Sequence, residues 1–231
     1  MDYSTWEPVY DSILDDFGFE RAADERARDR LADLLDTTAT IGPDRLDFAG
    51  ETVAIAGAGS NLEAEAERAT AADSVVAAST AADRLDACGV GVDCMVTDLD
   101  KNPETVAHLT AGGTPVAVHA HGDNIPALEA YVPTFDAEAV IPTTQAAPTA
   151  VVHNVGGFTD GDRAAFLADH CGAETLTFPG WDFDDPAVDP MKRQKLVWAE
   201  RLLLWLERRR GDQFAVLDGR RDAIDDAALP D

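Results

Sequence analysis

The stretch from Thr52 to Gly89, TVAIAGAGSNLEAEAERATAADSVVAASTAADRLDACG, decides the fold. It reads twice as a short apolar run, a turn and an amphipathic helix: "TVAIAG" passes through a glycine turn into "NLEAEAERATA", and "SVVAAS" into "TAADRLDACG". The same alternation continues with "DCMVTD" before "NPETVAHLTAGG" and "PVAVHAHGD" before "NIPALEAYV". Repeated strand-turn-helix units imply parallel strands joined by right-handed crossovers, and so an α/β fold: an open, mostly parallel sheet with Rossmann-like topology. Further strands are expected at "AVIPTT", "AVVHNVG" and "ETLTFPG", with a helix at "GDRAAFLADHC" and a long one from about Met191 to Arg209.

Outward from this core the pattern changes. Residues 1–48 read as a small helical appendage, clearest in "ERAADERARDRLADLLDTT", where Ala23, Ala27, Leu31 and Leu34 or Leu35 recur at helical spacing. Residues 49–211 form the catalytic α/β domain, and the acidic tail, 212–231, is expected to be partly disordered. No apolar run is long enough to span a membrane, no signal peptide opens the chain, and three unpaired-looking cysteines suggest neither a disulfide framework nor a Cys-rich zinc site. A soluble protein in a reducing cytoplasm is expected. The helix carrying Leu202, Leu203, Trp205 and Leu206 could serve a core or a homo-oligomer contact.

Charge narrows the partners. The chain carries 44 acidic and 18 basic residues, a formal charge of −26, and its only lysines are Lys101, Lys192 and Lys195. Such a surface repels nucleic acid and anionic membranes. Concentrated salt would screen it, so the composition is that of a protein from a salt-rich, halophilic cytoplasm. Any single Asp here is first of all a hydrated surface charge.

Against that background, five places stand out because they fall where strands end and helices begin, the position of ligands in open α/β sheets. Gly57 and Gly59, with Ser60 and Asn61, form a turn that either cradles a phosphate or simply joins strand to helix; with Leu62 where a dinucleotide motif needs Gly, NAD binding is not expected. Asp98 and Asp100 in "VTDLD", two apart in extended backbone, would point the same way and share a Mg²⁺ ion. His119 and His121 in "HAHGDN" share one side of their strand and could bind metal, contact phosphate or move a proton, while Asp123 is a helix cap or a functional acid. Thr159 and Asp160, in "NVGGFTDGDRA", cap a helix or extend the acidic site. Lys192 and Lys195, beside Arg193, are a clamp for an anionic triphosphate or a solvated helix start.

In order along the chain, "GAGSNL", "VTDLD", "HAHGDN", "TTQ", "NVGGFTDGDRA" and "KRQKL" resemble the archaeal 6-hydroxymethyl-7,8-dihydropterin pyrophosphokinases of the MptE type, and more distantly the thiamin pyrophosphokinases. The chain departs from the first family at Lys101, where Gly is common, and at "AAST", where Ala-Asp-Gly is frequent. The resemblance implies transfer of diphosphate from ATP to a pterin alcohol with release of AMP, Mg²⁺ on Asp98 and Asp100, and triphosphate contacts from Lys192, Arg193 and Lys195. Asp123, Asp160 or one of His119 and His121 would accept the alcohol proton. Gln145, Asn154, Phe158, Thr159, Asp160 and Asp162 are the candidates for the pterin. The competing readings are a nucleotide-sugar glycosyltransferase, whose metal motif is also D-x-D, and a non-enzymatic nucleotide-binding protein.

Overall fold

A computed structural model describes residues 1–35 and 40–230. Six strands, β1 (Thr52–Ala56), β2 (Ser74–Ala78), β3 (Cys94–Thr97), β4 (Val116–Ala120), β5 (Val140–Thr144) and β6 (Thr175–Thr177), pair in the order β5-β4-β3-β2-β1-β6. Every pairing is parallel. Alternate residues face opposite ways, and both sets are apolar: Val53, Ile55, Val76 and Val96 belong to one core, Ala54, Ala56, Val75 and Met95 to the other. This is the pattern of a parallel sheet covered on both faces.

From β1 to β5 the chain steps in one direction across the sheet. The crossovers α3 (Ala66–Thr70), α4 (Ala81–Ala87), α5 (Pro103–Ala111) and α6 (Ile125–Tyr131) therefore share one face, contributing Ala69, Leu85, Val106 and Leu128 to its core. The chain then recrosses the opposite face as α7 (Asp160–His170) and places β6 beyond β1, so the direction of winding reverses between β1 and β6. The long helix α8 (Pro190–Arg210) lies on the same face as α7. Its Leu202, Leu203, Trp205 and Leu206 are at most 2% exposed, so these side chains serve the core.

Residues 1–48, an appendage by sequence, are packed as core. Helix α1 (Tyr3–Phe17) buries Trp6, Val9, Tyr10 and Ile13 on the α7/α8 face, where the Trp6 ring stacks on Trp205 with centroids 6.5 Å apart. Helix α2 (Arg21–Leu34) buries Ala27 and Leu31 on the other face, beside α6 and β5. The expected helical stretch is helical through Leu34; Asp36–Thr38 lie outside the described residues. In the tail, Phe214 and Leu217 are buried, and Arg221 pairs with the buried Glu207 at 2.7 Å. "AVVHNVG" is not a strand. It makes one isolated bridge, His153 to Thr143, before Gly156 and Gly157 turn the backbone through φ of 90° and 93°.

Candidate active site

The carboxyl ends of β1 to β5 open into one cleft of about 760 Å³, closed over by the start of α7, the loop after β6 and the first turns of α8. A volume near the upper end of the range for ligand sites leaves room for two reactants. Its floor is acidic. Asp98 and Asp100 end β3, and Asp160 opens α7.

The D-x-D geometry differs from the extended one expected. Leu99, between the two acids, is left-handed with φ of 65° and its side chain 2% exposed. Drawing leucine into the core turns the backbone there, and the Asp100 N–H folds back to donate to the Asp98 carboxylate at 3.2 Å. A non-glycine residue held in this region is strained by about 1–2 kcal/mol and needs its surroundings to hold it. Ser79, at the end of β2 and on the cleft wall, is also left-handed, with φ of 49°.

The carboxylates feel one another. Burial pushes the Asp160 carboxyl up to about 7, with Asp98 and Asp100 adding repulsion and Arg163 opposing it. Burial and the neighbouring Asp98 likewise raise Asp100. Burial works against the charge on Asp98 too, but contact with His121 and the positive field of Arg163 win and hold it below the usual carboxylate range. His121 reaches Asp98 through Nε2 at 3.4 Å, while its Nδ1 accepts the Asp123 N–H at 3.4 Å. That assigns the ring proton to Nε2, pointing at Asp98. Arg163, 3.0 Å from Asp160 and 3.2 Å from the Gln145 amide oxygen, is the internal countercharge of the cluster.

Basic groups share the cleft with these acids. Lys101, Lys192 and Lys195, every lysine of the chain, line this cleft. Among the described residues none of them forms an ion pair, whereas the arginines Arg21, Arg84, Arg210, Arg220 and Arg221 are paired to carboxylates elsewhere on the surface. Lys192 and Lys195 are three apart and share a face of α8; Arg193, rotated about 100° from Lys192, is exposed outside the cleft. The triphosphate role expected of Arg193 has no support in that placement.

Other expected residues are engaged elsewhere. The Gly57 and Gly59 N–H groups donate to the Pro179 and Gly180 carbonyls at 2.9 and 2.7 Å. These glycines allow two loops to touch: a Cβ on either would meet the Gly180 oxygen at 2.6 Å. The crevice between β1 and β6 is thus sealed by backbone, which removes both amides from a phosphate cradle and moves the opening toward β2, β3 and β4. Ser60 and Asn61 fasten the same loop through Asp182 and the Trp181 carbonyl, and neither lines the cleft. Asp162 is fully buried as the capping partner of Thr159, accepting its hydroxyl at 2.6 Å, so it does not read a ring. Asn154 ties its loop to the Gln145 and Ala146 carbonyls at 2.9 and 2.8 Å and lies outside the cleft. His119 is 3% exposed beneath the floor rather than on it. Phe158, Thr159, Gln145 and Asp123 do line the cleft.

Three further residues contribute to the site. Asp24 on α2 accepts the Tyr10 hydroxyl, the Gln145 amide and the Gly122 N–H, each at 2.7 Å, binding the N-terminal helices to the site. Trp181 packs against Gly57 and Gly161 and donates to the Ile55 carbonyl at 2.8 Å. Arg163 was hidden in an ordinary helix start, although its i+3 spacing from Asp160 was legible.

Among the described residues no group of three or more His, Cys, Asp or Glu side chains is gathered into a preformed metal cage. Magnesium is nonetheless commonly held by one or two carboxylates, with substrate phosphates and water completing its shell. The carboxylates of Asp98 and Asp100, close enough that Asp98 raises the proton affinity of Asp100 and both lining the cleft, are a donor set that fits such an ion.

Known proteins are similar to this chain in sequence. A family described as 6-hydroxymethylpterin diphosphokinase MptE-like matches residues 30–187. The 6-hydroxymethyl-7,8-dihydropterin pyrophosphokinase of Methanothermobacter thermautotrophicus is 39% identical over 225 residues, covering 90% of this chain and 96% of that one. Proteins of the same name from Pyrococcus furiosus and Methanocaldococcus jannaschii are 34% and 32% identical, again over 90% of this chain and 95% and 96% of theirs.

Proposed function

The chain belongs to the MptE-like 6-hydroxymethylpterin diphosphokinases, and from that membership together with the cleft we propose that it transfers diphosphate from ATP to the hydroxymethyl group of 6-hydroxymethyl-7,8-dihydropterin, in folate or methanopterin-type cofactor synthesis. The observation that carries the nucleotide half of this reading is the convergence of all three lysines on a carboxylate floor. In a chain of charge −26, unpaired cations facing paired acids suit a phosphate chain with a divalent ion, and little else.

Asp98 and Asp100 would hold Mg²⁺, which when bound supplies charge neutralisation on the phosphates. Lys192, Lys195 and Lys101 neutralise the remaining phosphate oxygens and fix the chain in line. The alcohol oxygen attacks the β-phosphorus, the bond from that phosphorus to the α,β-bridging oxygen breaks, and AMP leaves. The alcohol proton goes to Asp160, whose carboxyl, near 7, is matched to proton exchange at neutral pH. His121 holds Asp98 in place. Phosphoryl-type transfer depends chiefly on such positioning and electrostatics.

The test is to incubate purified protein with Mg²⁺, ATP and 6-hydroxymethyl-7,8-dihydropterin at high salt and to measure AMP and pterin diphosphate. Both products are expected in equal amounts; ADP in place of AMP, or no product from folded protein, overturns the reading. Asp98→Asn and Asp100→Asn should each lower turnover by about a hundredfold or more, the effect of removing a group that stabilises charge in the transition state. Wild-type rates in both variants across a magnesium titration would remove these two residues from the site.

A further inference from the structure

Beneath the floor of the cleft lies a second, small cavity of about 10 Å³, lined by His119, Thr143, Thr144, Gly156 and Arg163 together with apolar side chains. Two buried polar atoms on its lining residues, His119 Nε2 and Arg163 Nε, have no hydrogen-bond partner among the described residues. Leaving a buried polar group without a partner is costly, and native structures keep few of them.

Their chemistry is complementary. The Thr143 hydroxyl donates to the Val118 carbonyl at 3.2 Å and so offers its lone pair to His119 Nδ1, 3.1 Å away. Nδ1 therefore carries the ring proton, and Nε2 is a bare acceptor. Burial, reinforced by the charges of Arg163 and His121 and only partly opposed by Asp98 and the nearby Gln145 side chain, keeps this imidazole neutral. The Arg163 Nε–H is a donor, since the guanidinium is always charged. An acceptor and a donor on residues that line a cavity about the size of one probe sphere suit an ordered internal water, which donates to one and accepts from the other.

We infer that a single buried water bridges His119 Nε2 to Arg163 Nε, and that His119 is thereby a positioning residue for the Arg163 guanidinium on the cleft floor. Arg163 is held at its other two nitrogens by Asp160 and Gln145. The water fixes the third, so the plane of the guanidinium, and with it the Asp160 carboxylate, has one orientation. His119 acts through the water and Arg163, on the far side of the floor from the substrates.

The site of the water is independent of the proposed reaction, while its effect on turnover rests on that reading, and the two are tested separately. A high-resolution crystal structure of the full chain should show one water at about 2.7–3.2 Å from both nitrogens. A dry cavity, or an Arg163 side chain whose Nε faces elsewhere, overturns the inference whatever the enzyme does. For the consequence, His119→Leu removes the acceptor at similar size and should lower kcat/KM about tenfold, as expected for stranding a buried donor. Arg163→Lys lacks the Nε donor, so His119→Leu added to it should change kcat/KM less than about twofold more, the signature of coupled residues. His119→Gln, which keeps an acceptor, should restore activity toward wild type. An equal loss from His119→Leu in both backgrounds would show a general packing effect and overturn the positioning role.

Discussion

Asp160 illustrates how the site stores charge. Its folded carboxyl, near 7, lies above the ordinary value because burial and Asp98 disfavour the anion. The folded protein therefore binds that proton more tightly than the unfolded chain does. The resulting stability is full below the unfolded carboxylate value and is lost as pH rises through about 7. Asp160→Asn, which keeps an acceptor for Arg163, should raise the unfolding free energy of the ligand-free protein by about 2 kcal/mol at pH 8.5, after allowing for relaxation around the site. The gain should narrow as pH falls below 7 and vanish near pH 4. Thermal melts of both proteins across that range check it, and a gain that grows on acidification would reverse the electrostatic account. The residue scale also shows what a motif conceals: D-x-D was readable as a candidate carboxylate pair for a cation, but the left-handed Leu99 that aims Asp100 was not, because a leucine gives no sign of positive φ.

Helix α8 shows what periodicity decides. "KRQKL" reads as three adjacent cations, yet at 100° per residue only Lys192 and Lys195 face the cleft, and Arg193 faces water. Lys192→Ala and Lys195→Ala should each raise the KM for ATP about tenfold, the worth of a charge-assisted contact to phosphate, and Arg193→Ala should leave it within about twofold. Steady-state kinetics at constant ionic strength separate them; an Arg193→Ala effect equal to the lysine effects would mean that α8 docks differently. Strands and crossovers were legible because apolar runs and amphipathic helices alternate. The segment "AVVHNVG" has the composition of a strand, but its Asn154 side chain ties its own loop and the two glycines after Val155 turn the chain away.

For the molecule as a whole, the charge of −26 sets the conditions of stability. Carboxylates spread over the surface repel at low salt, and the Debye length shortens from about 10 Å at 0.1 M to about 3 Å at 1 M. The melting temperature should rise by several degrees between 0.1 and 2 M KCl, measured by circular dichroism; a flat response would show that the surface ion pairs already compensate. The same charge explains why three lysines matter. Most cations are arginines tied to acids, whereas among the described residues the three lysines lining the cleft form no ion pair and so are free to meet an anion. The N-terminal helices belong to this scale too: Asp24, which lines the cleft, and Trp6 both contact Gln145 at the end of β5, so the first helices brace the site directly.

The sequence by itself determined the α/β class, the order of the strands' appearance, the acidic strand-end motif and the family, because these depend on local periodicity and on residues adjacent in the chain. Only the tertiary structure decided which of those residues meet. It joined Lys101 to Lys192 and Lys195 across some ninety residues, sealed the glycine turn against the loop after β6, sent Asp162 and Asn154 to capping and loop closure, and set Asp24 and Arg163 around Gln145. A side chain's partner is fixed by packing and by the demand of every buried polar atom for a hydrogen bond, and neither is written at a single position.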